Sequence, residues 1–149
     1  MIEFLQKIFA TGKVEKVLDI GWGKWFYALY CASYWAKVDI VEPNVMQWFQ
    51  YNLWLHPLIT HYEMMCHQFM LEAWKYDIII LWNVIQFMKK EYVLKLLPKL
   101  KEHLNENGSI LISFFKDWTK EEINFILWVP VIEYEREEWD KNITYLFYK

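Results

Sequence analysis

The chain has 149 residues, 56% of them hydrophobic and 23% charged, which fits one folded domain and excludes a disordered segment. A domain of this size buries roughly two-thirds of the surface of its unfolded chain. The net charge of −3 supplies no general basic footprint, so it argues against a broad nucleic-acid binder while leaving a local basic patch open.

Strand and helix patterns alternate along the chain. The amino end, with Glu3 and Lys7, reads as a short amphipathic helix and not as a signal peptide. Lys16 to Ile20 is a short apolar strand. Trp25 to Tyr34 follows as a helix, with Phe26, Leu29, Tyr30 and Ser33 on one face. Lys37 to Val41 is a second strand, ended by Glu42-Pro43-Asn44. Pro43 suits the first turn of a helix, which places one over Asn44 to Trp54, closed by Pro57. Leu58 to Met64 reads as a third strand and Gln68 to Trp74 as a short helix. Asp77 to Leu81 is apolar without alternation, the pattern of a strand covered on both faces.

Lys89 to Leu104 is the long helix, with Val93, Leu96, Leu97, Leu100 and Leu104 as its apolar stripe. Pro98 should kink or split it. Asn105 to Gly108 reads as a turn and Ser109 to Phe115 as a fifth strand. Thr119 and Glu122 form a capping box for a helix to about Leu127. Val131 to Glu138 and Asn142 to Tyr148 read as two strands joined by a tight turn near Trp139-Asp140. The sum is an α/β domain over residues 1–149. Its sheet is doubly wound, mostly parallel and Rossmann-like, ending in an antiparallel hairpin.

Ten Trp and only four Gly are unusual for this length. Trp35, Trp54, Trp74, Trp118 and Trp139 fall where turns are expected, and a turn that needs positive φ tolerates Trp poorly. Cys31 and Cys66 are too few for a disulfide framework, which points to a reducing cytoplasm. The apolar run from Ile78 to Met88 is too short to span a bilayer and contains Asn83 and Gln86, so no membrane span is expected.

The stretch VLDIGWGKW, residues 17–25, carries the most chemistry. Ligands of open parallel sheets bind beyond the carboxyl ends of the strands, where the strand order reverses. Gly21 and Gly23 stand between the first strand and its helix, where backbone can turn sharply and approach a ligand. Glu42 ends the second strand, 19 residues after Gly23, where a carboxylate can accept both hydroxyls of a ribose. Nicotinamide and flavin enzymes want G-x-G-x-x-G, and the third glycine position holds Phe26. Asp19 lies two residues before Gly21, where it would repel a pyrophosphate and favour an amino group and a sulfonium.

With VLDIGWGKWFYALYCAS, AKVDIVEPN, YDIIILWNVIQFM and NENGSILISFF, the chain resembles the class I S-adenosylmethionine-dependent methyltransferases. The likeness is nearest to the small methyltransferase-domain group that acts on small molecules or metalloid oxyanions. It runs from about Lys13 to Phe115, and the terminal hairpin fits the sixth and seventh strands of that seven-stranded fold. The resemblance implies that S-adenosylmethionine is the cofactor. Asp19 would orient its methionine end, Gly21 and Gly23 would carry the loop beneath it, and Glu42 would hold the ribose. Asn83 would line the reacting methyl. An acid often contacts the adenine amino group at the end of the third strand; here that region reads Met65-Cys66-His67, which leaves Cys66 in its place.

Trp25 is the main departure, because the family usually carries a third small residue there. Its indole either swings to solvent or fills the methionine pocket. Trp22, between the two glycines, is a milder departure, and an aromatic near a sulfonium can add a cation–π contact of roughly 0.5–2 kcal/mol. Two functions follow. The first is a methyltransferase with a small-molecule acceptor, its lidless site serving a broad substrate or closed by a second copy in a homodimer. The second is a non-catalytic descendant whose pocket Trp25 blocks, acting as a binding or scaffolding module.

His56, His61, His67, Glu63 and Asp117 are the candidates for a base, and spacing singles out none. His61, Cys66 and His67 match no usual zinc pattern, so no metal is expected. Glu133, Glu135, Glu137 and Glu138 read as a solvated strand face. Lys89, Lys90, Lys95, Lys99 and Lys101 read as the wet side of the long helix, and RNA docking there is the minority reading.

Overall fold

Apolar runs of four or five residues, bounded by Lys, Gly and Pro, place the central strands where the sequence puts them. The computed structural model describes residues 2–21, 26–44, 56–69, 74–114, 122–123, 131–134 and 144–148, of which 114, 131–134 and 144–148 are described by backbone alone. Strands β1 (Lys16–Ile20), β2 (Lys37–Val41), β3 (Ile59–Tyr62), β4 (Tyr76–Trp82) and β5 (Leu104–Phe114) form a parallel sheet in the order β3-β2-β1-β4-β5. This is an α/β, Rossmann-like arrangement whose order reverses between β1 and β4. Two further strands, β6 (Val131–Tyr134) and β7 (Thr144–Tyr148), extend it beyond β5 by antiparallel pairing, in the order β5-β7-β6. The turn expected near Trp139-Asp140 lies outside the described residues.

Helices cover both faces of the parallel sheet. On one face α3 (Lys90–Glu102) seats Val93, Leu96, Leu97 and Leu100 against Leu18, Ile20, Ile79, Leu81, Ile110 and Ile112. On the other, Leu5 of α1 (Ile2–Thr11) and Ala28, Cys31 and Ala32 of α2 (Phe26–Ser33) meet Val17, Val38, Ile40, Ile78, Ile80 and Leu111. Ile78 to Leu81 are each 0% exposed, as an apolar strand without alternation requires.

Four expectations are corrected. The buried stripe of α2 is Ala28, Cys31 and Ala32; of the expected face, Phe26 (51%) and Leu29 (39%) are exposed and Tyr30 is only partly buried against the core. Small side chains let this helix lie close on the sheet, so size decides its orientation over hydrophobicity. Pro98 does not split α3, which runs unbroken through it. It sits on the exposed side, where solvent can satisfy the carbonyl its ring leaves unbonded. Leu104 opens β5 and does not belong to the helix stripe. Residues 105–108, expected as a turn before the fifth strand, lie within β5 as an irregular bulge. Between the pairs Tyr76/Leu104 and Ile78/Ser109, β4 advances two residues and β5 advances five.

The third strand is shorter than expected, and the helices expected over Asn44 to Trp54, Gln68 to Trp74 and beyond Thr119 fall largely outside the described residues. Among the described residues no helix is long and apolar enough to cross a membrane.

Candidate functional site

Register brings the sequence-predicted residues to one end of the sheet. Ile20 lies opposite Val41 on one side and Leu81 on the other, so Gly21, Glu42 and Trp82 reach the carboxyl edge at one level. The Gly21 N–H donates to the Val41 carbonyl at 3.1 Å, fixing the turn to β2. Gly21 has φ +109°, and a Cβ there would fall 1.7 Å from Cγ2 of Val84. A glycine here suits close approach of a ligand to the backbone. Its side-chain direction is filled by Val84, in the segment after β4.

Asp19 and Glu42 are 7% and 2% exposed. Asp19 follows the alternation of Val17, so its carboxylate lies on the sheet face covered by α2. Among the described residues no hydrogen bond ends on it. Burial first, and then the charge of Glu42, push its pKa up to about 7. Burial also raises the pKa of Glu42, opposed by the Asn44 N–H, which donates to Glu42 Oε1 at 2.8 Å. The Cys31 thiol above them is raised by burial and by the Asp19 charge. Two carboxylates held together with little compensation form a site that favours a cation.

Asn83 follows β4 with φ +52°, a left-handed conformation that Asn accepts better than most residues. Ser113, fully buried on β5, fixes it twice: its hydroxyl accepts the Asn83 N–H at 2.7 Å and donates to Asn83 Oδ1 at 2.8 Å. The amide nitrogen of Asn83 enters no such bond among the described residues.

Cys66 lies on the other face of the sheet from Asp19. It packs against the α3 face of the sheet beside Tyr92, and burial pushes its pKa up to about 11. His67 meets the Tyr92 ring edge-on at 5.9 Å. His61 Nε2 lies 3.1 Å from the Glu42 carbonyl, and His56 Nδ1 accepts the Leu58 N–H at 3.4 Å. None of these histidines joins Asp19 or Asn83 by a hydrogen bond among the described residues. There is also no cluster of His, Cys, Asp and Glu fit for a metal among them. Trp22, Gly23, Trp25 and Asp117 lie outside the described residues.

Sequence reasoning missed Val84, Ser113 and Gln86. Ser113 had a visible signal, a small hydroxyl inside the apolar strand ILISF. Val84 had none, because its partner is far along the chain. A cavity of about 870 Å³ opens at the opposite, amino end of the strands, between α1 and the β5 bulge, lined by Phe4, Ile8, Val14, Asp77 and Asn105. It is separate from the carboxyl-edge residues.

Residues 1–147 match the family described as "Methyltransferase domain". No curated protein matches the chain. Solved structures share its fold. The N-methyltransferase NodS from Bradyrhizobium japonicum WM9, in complex with S-adenosyl-L-homocysteine, is 14% identical with a TM-score of 0.76, covering 99% of this chain and 83% of that one. A TehB-like SAM-dependent methyltransferase from Corynebacterium glutamicum is 12% identical with a TM-score of 0.76, covering 99% and 85%. Ribosomal protein L11 methylase from Lactobacillus delbrueckii subsp. bulgaricus is 19% identical with a TM-score of 0.73, covering 99% and 75%.

Proposed function

The chain belongs to the methyltransferase-domain family, and from that premise we propose that it is an S-adenosylmethionine-dependent methyltransferase whose acceptor is a small molecule. The observation that carries this reading is the buried Asp19–Glu42 pair at the carboxyl edge, beside the Gly21 turn. Buried carboxylates with no counter-charge among the described residues suit a ligand that brings its own cation. A sulfonium with an amino-acid tail does so, and a ribose offers hydroxyls to whatever acceptor capacity Glu42 retains.

In this reading Asp19 holds the methionine end, Glu42 the ribose hydroxyls, and Gly21 with Gly23 the loop beneath. Asn83 stands near the reacting methyl, Trp22 near the sulfonium and Cys66 on the adenine side. The cofactor, when bound, supplies a methyl group activated on cationic sulfur. The chain's own residues orient it, neutralise its charge and keep water out. No residue is assigned as a base, because methyl transfer obliges none.

We read residues 1–149 as one domain, with the last two strands as the hairpin that completes a seven-stranded sheet. Two free thiols, Cys31 and Cys66, support a cytoplasmic location. The acceptor site is closed by a second copy of the chain or left broad. The fold relatives do not choose an acceptor, since one is an N-methyltransferase and another a ribosomal protein methylase. The choice is made by transfer of a labelled methyl from S-adenosylmethionine into a whole-cell extract separated by size. Label in the small-molecule fraction supports the proposal. Label confined to protein or RNA would overturn the acceptor class, and no label at all would favour the non-catalytic alternative.

A further inference from the structure

Buried polar groups almost always find a hydrogen-bond partner. Among the described residues the exceptions are the amide nitrogen and oxygen of Gln86 and the hydroxyl of Tyr92. All lie in the stretch that follows β4. Tyr92 has the Cys66 thiol beside it. Gln86 sits in the single 3₁₀ turn Ile85–Phe87, between Ile85, 0% exposed, and Phe87, 78% exposed. Val84, at the entry to that turn, is the residue whose side chain covers Gly21. Gln86 therefore lies two residues beyond the side chain that packs on the Gly21 turn, close in the chain to the point where the strand order reverses.

An apolar side chain would fill the same space without leaving an amide nitrogen and an amide oxygen unpaired. A glutamine amide sets N–H donors beside a carbonyl acceptor. We infer that Gln86 is a cofactor-contacting residue whose amide pairs with a ligand edge carrying a donor beside an acceptor. The inference rests on the proposed cofactor. An adenosyl amino-acid ligand has two such edges, the aminopyrimidine edge of adenine and the zwitterionic amino-acid end. Turning the amide toward a ligand breaks no hydrogen bond, because it holds none among the described residues.

The test uses Gln86→Met, which keeps length and removes the amide; Gln86→Leu serves should Met disturb the fold. The free variant melts at least about 2 °C higher than wild type, as expected when an unpaired buried amide is removed. Its affinity for S-adenosylhomocysteine falls roughly tenfold or more. Titration with 5′-methylthioadenosine, which keeps adenine and lacks the amino-acid end, separates the two edges. Loss for both ligands assigns the adenine edge, and loss for S-adenosylhomocysteine alone assigns the amino-acid end. Unchanged affinity for both ligands in a folded variant overturns the inference, and a lower melting temperature with unchanged affinity gives Gln86 to packing or a bound water. Wild-type protein that binds neither ligand would instead overturn the cofactor reading itself.

Discussion

The Val84 side chain occupies the space into which a Cβ on Gly21 would project, with Cγ2 1.7 Å from that point. Gly21 also holds φ at +109°, so a side chain is excluded there on two counts. Gly21→Ala lowers stability by about 2–4 kcal/mol, read by urea denaturation. In a double-mutant cycle with Val84→Ala, the pair is less destabilised than the sum of the single changes, because the second substitution removes the 1.7 Å contact with Cγ2 and leaves the backbone strain and the 2.9 Å approach of the Val84 Cβ. Additivity within about 0.3–0.5 kcal/mol would show that no such contact exists.

Asp19 gives a pH dependence with a definite sign. Its pKa is about 7 in the folded protein against 3.8 for the ordinary group, so the folded state binds more protons between these values. Its contribution to stability is therefore fully present below about pH 4 and lost as pH rises to about 7. Asp19→Asn removes the charge and keeps the shape. It stabilises the free protein at pH 8 by about 2–4 kcal/mol and changes it little at pH 4. Denaturation at both pH values checks this, and an equal effect at both would contradict it.

The same carboxyl must be ionised to face a cationic ligand. Affinity for S-adenosylmethionine consequently rises with pH from 6 to 8, by up to about tenfold for each unit below the pKa. In Asp19→Asn that slope disappears. Calorimetry in buffers of different ionisation enthalpy reads the proton released on binding, and a wild-type affinity flat across this range would count against Asp19.

Trp35 closes α2 in a left-handed conformation, φ +68°, with its indole 84% exposed. Trp35 N–H donates to Ala32 O at 2.9 Å and Ala36 N–H to Cys31 O at 3.4 Å, the bonding of a helix end that usually carries glycine. Trp35→Gly relieves the strain and gives up little packing, so stability rises by about 0.5–1 kcal/mol. A fall in melting temperature would show that the indole packs on something.

Ser113 holds Asn83 through two hydrogen bonds. Ser113→Ala costs about 1–3 kcal/mol, since it leaves the Asn83 N–H and Oδ1 without their partner. Hydrogen exchange at the Asn83 amide quickens by a comparable factor in the variant, whereas amides in α1 keep their rates. Unchanged protection at Asn83 would contradict the clamp.

The parallel sheet was legible because its strands are short apolar runs with sharp boundaries. Lys16–Ile20 and Lys37–Val41 fall where the sequence places them. Asp19, Gly21, Glu42 and Asn83 were legible as a group because each stands at a fixed distance from a strand end. What the sequence concealed depends on three-dimensional contact. The α2 face was misread because hydrophobic periodicity favours Phe26 and Leu29, whereas close approach to the sheet favours Ala28 and Ala32. The β5 bulge hid within Asn105 to Gly108, a stretch that looks like any turn. The reason for Gly21 was half seen, since the need for positive φ is local and the pressure of Val84 comes from residues 63 positions away.

The central question is whether an adenosyl ligand is held at the carboxyl edge of β1 and β2. Calorimetric titration of S-adenosylhomocysteine into wild type and Glu42→Ala tests this most directly. Saturable binding at one ligand per chain, weakened roughly tenfold or more in the variant, is the predicted result. No heat with wild type, or equal affinity in a folded Glu42→Ala protein, would contradict it.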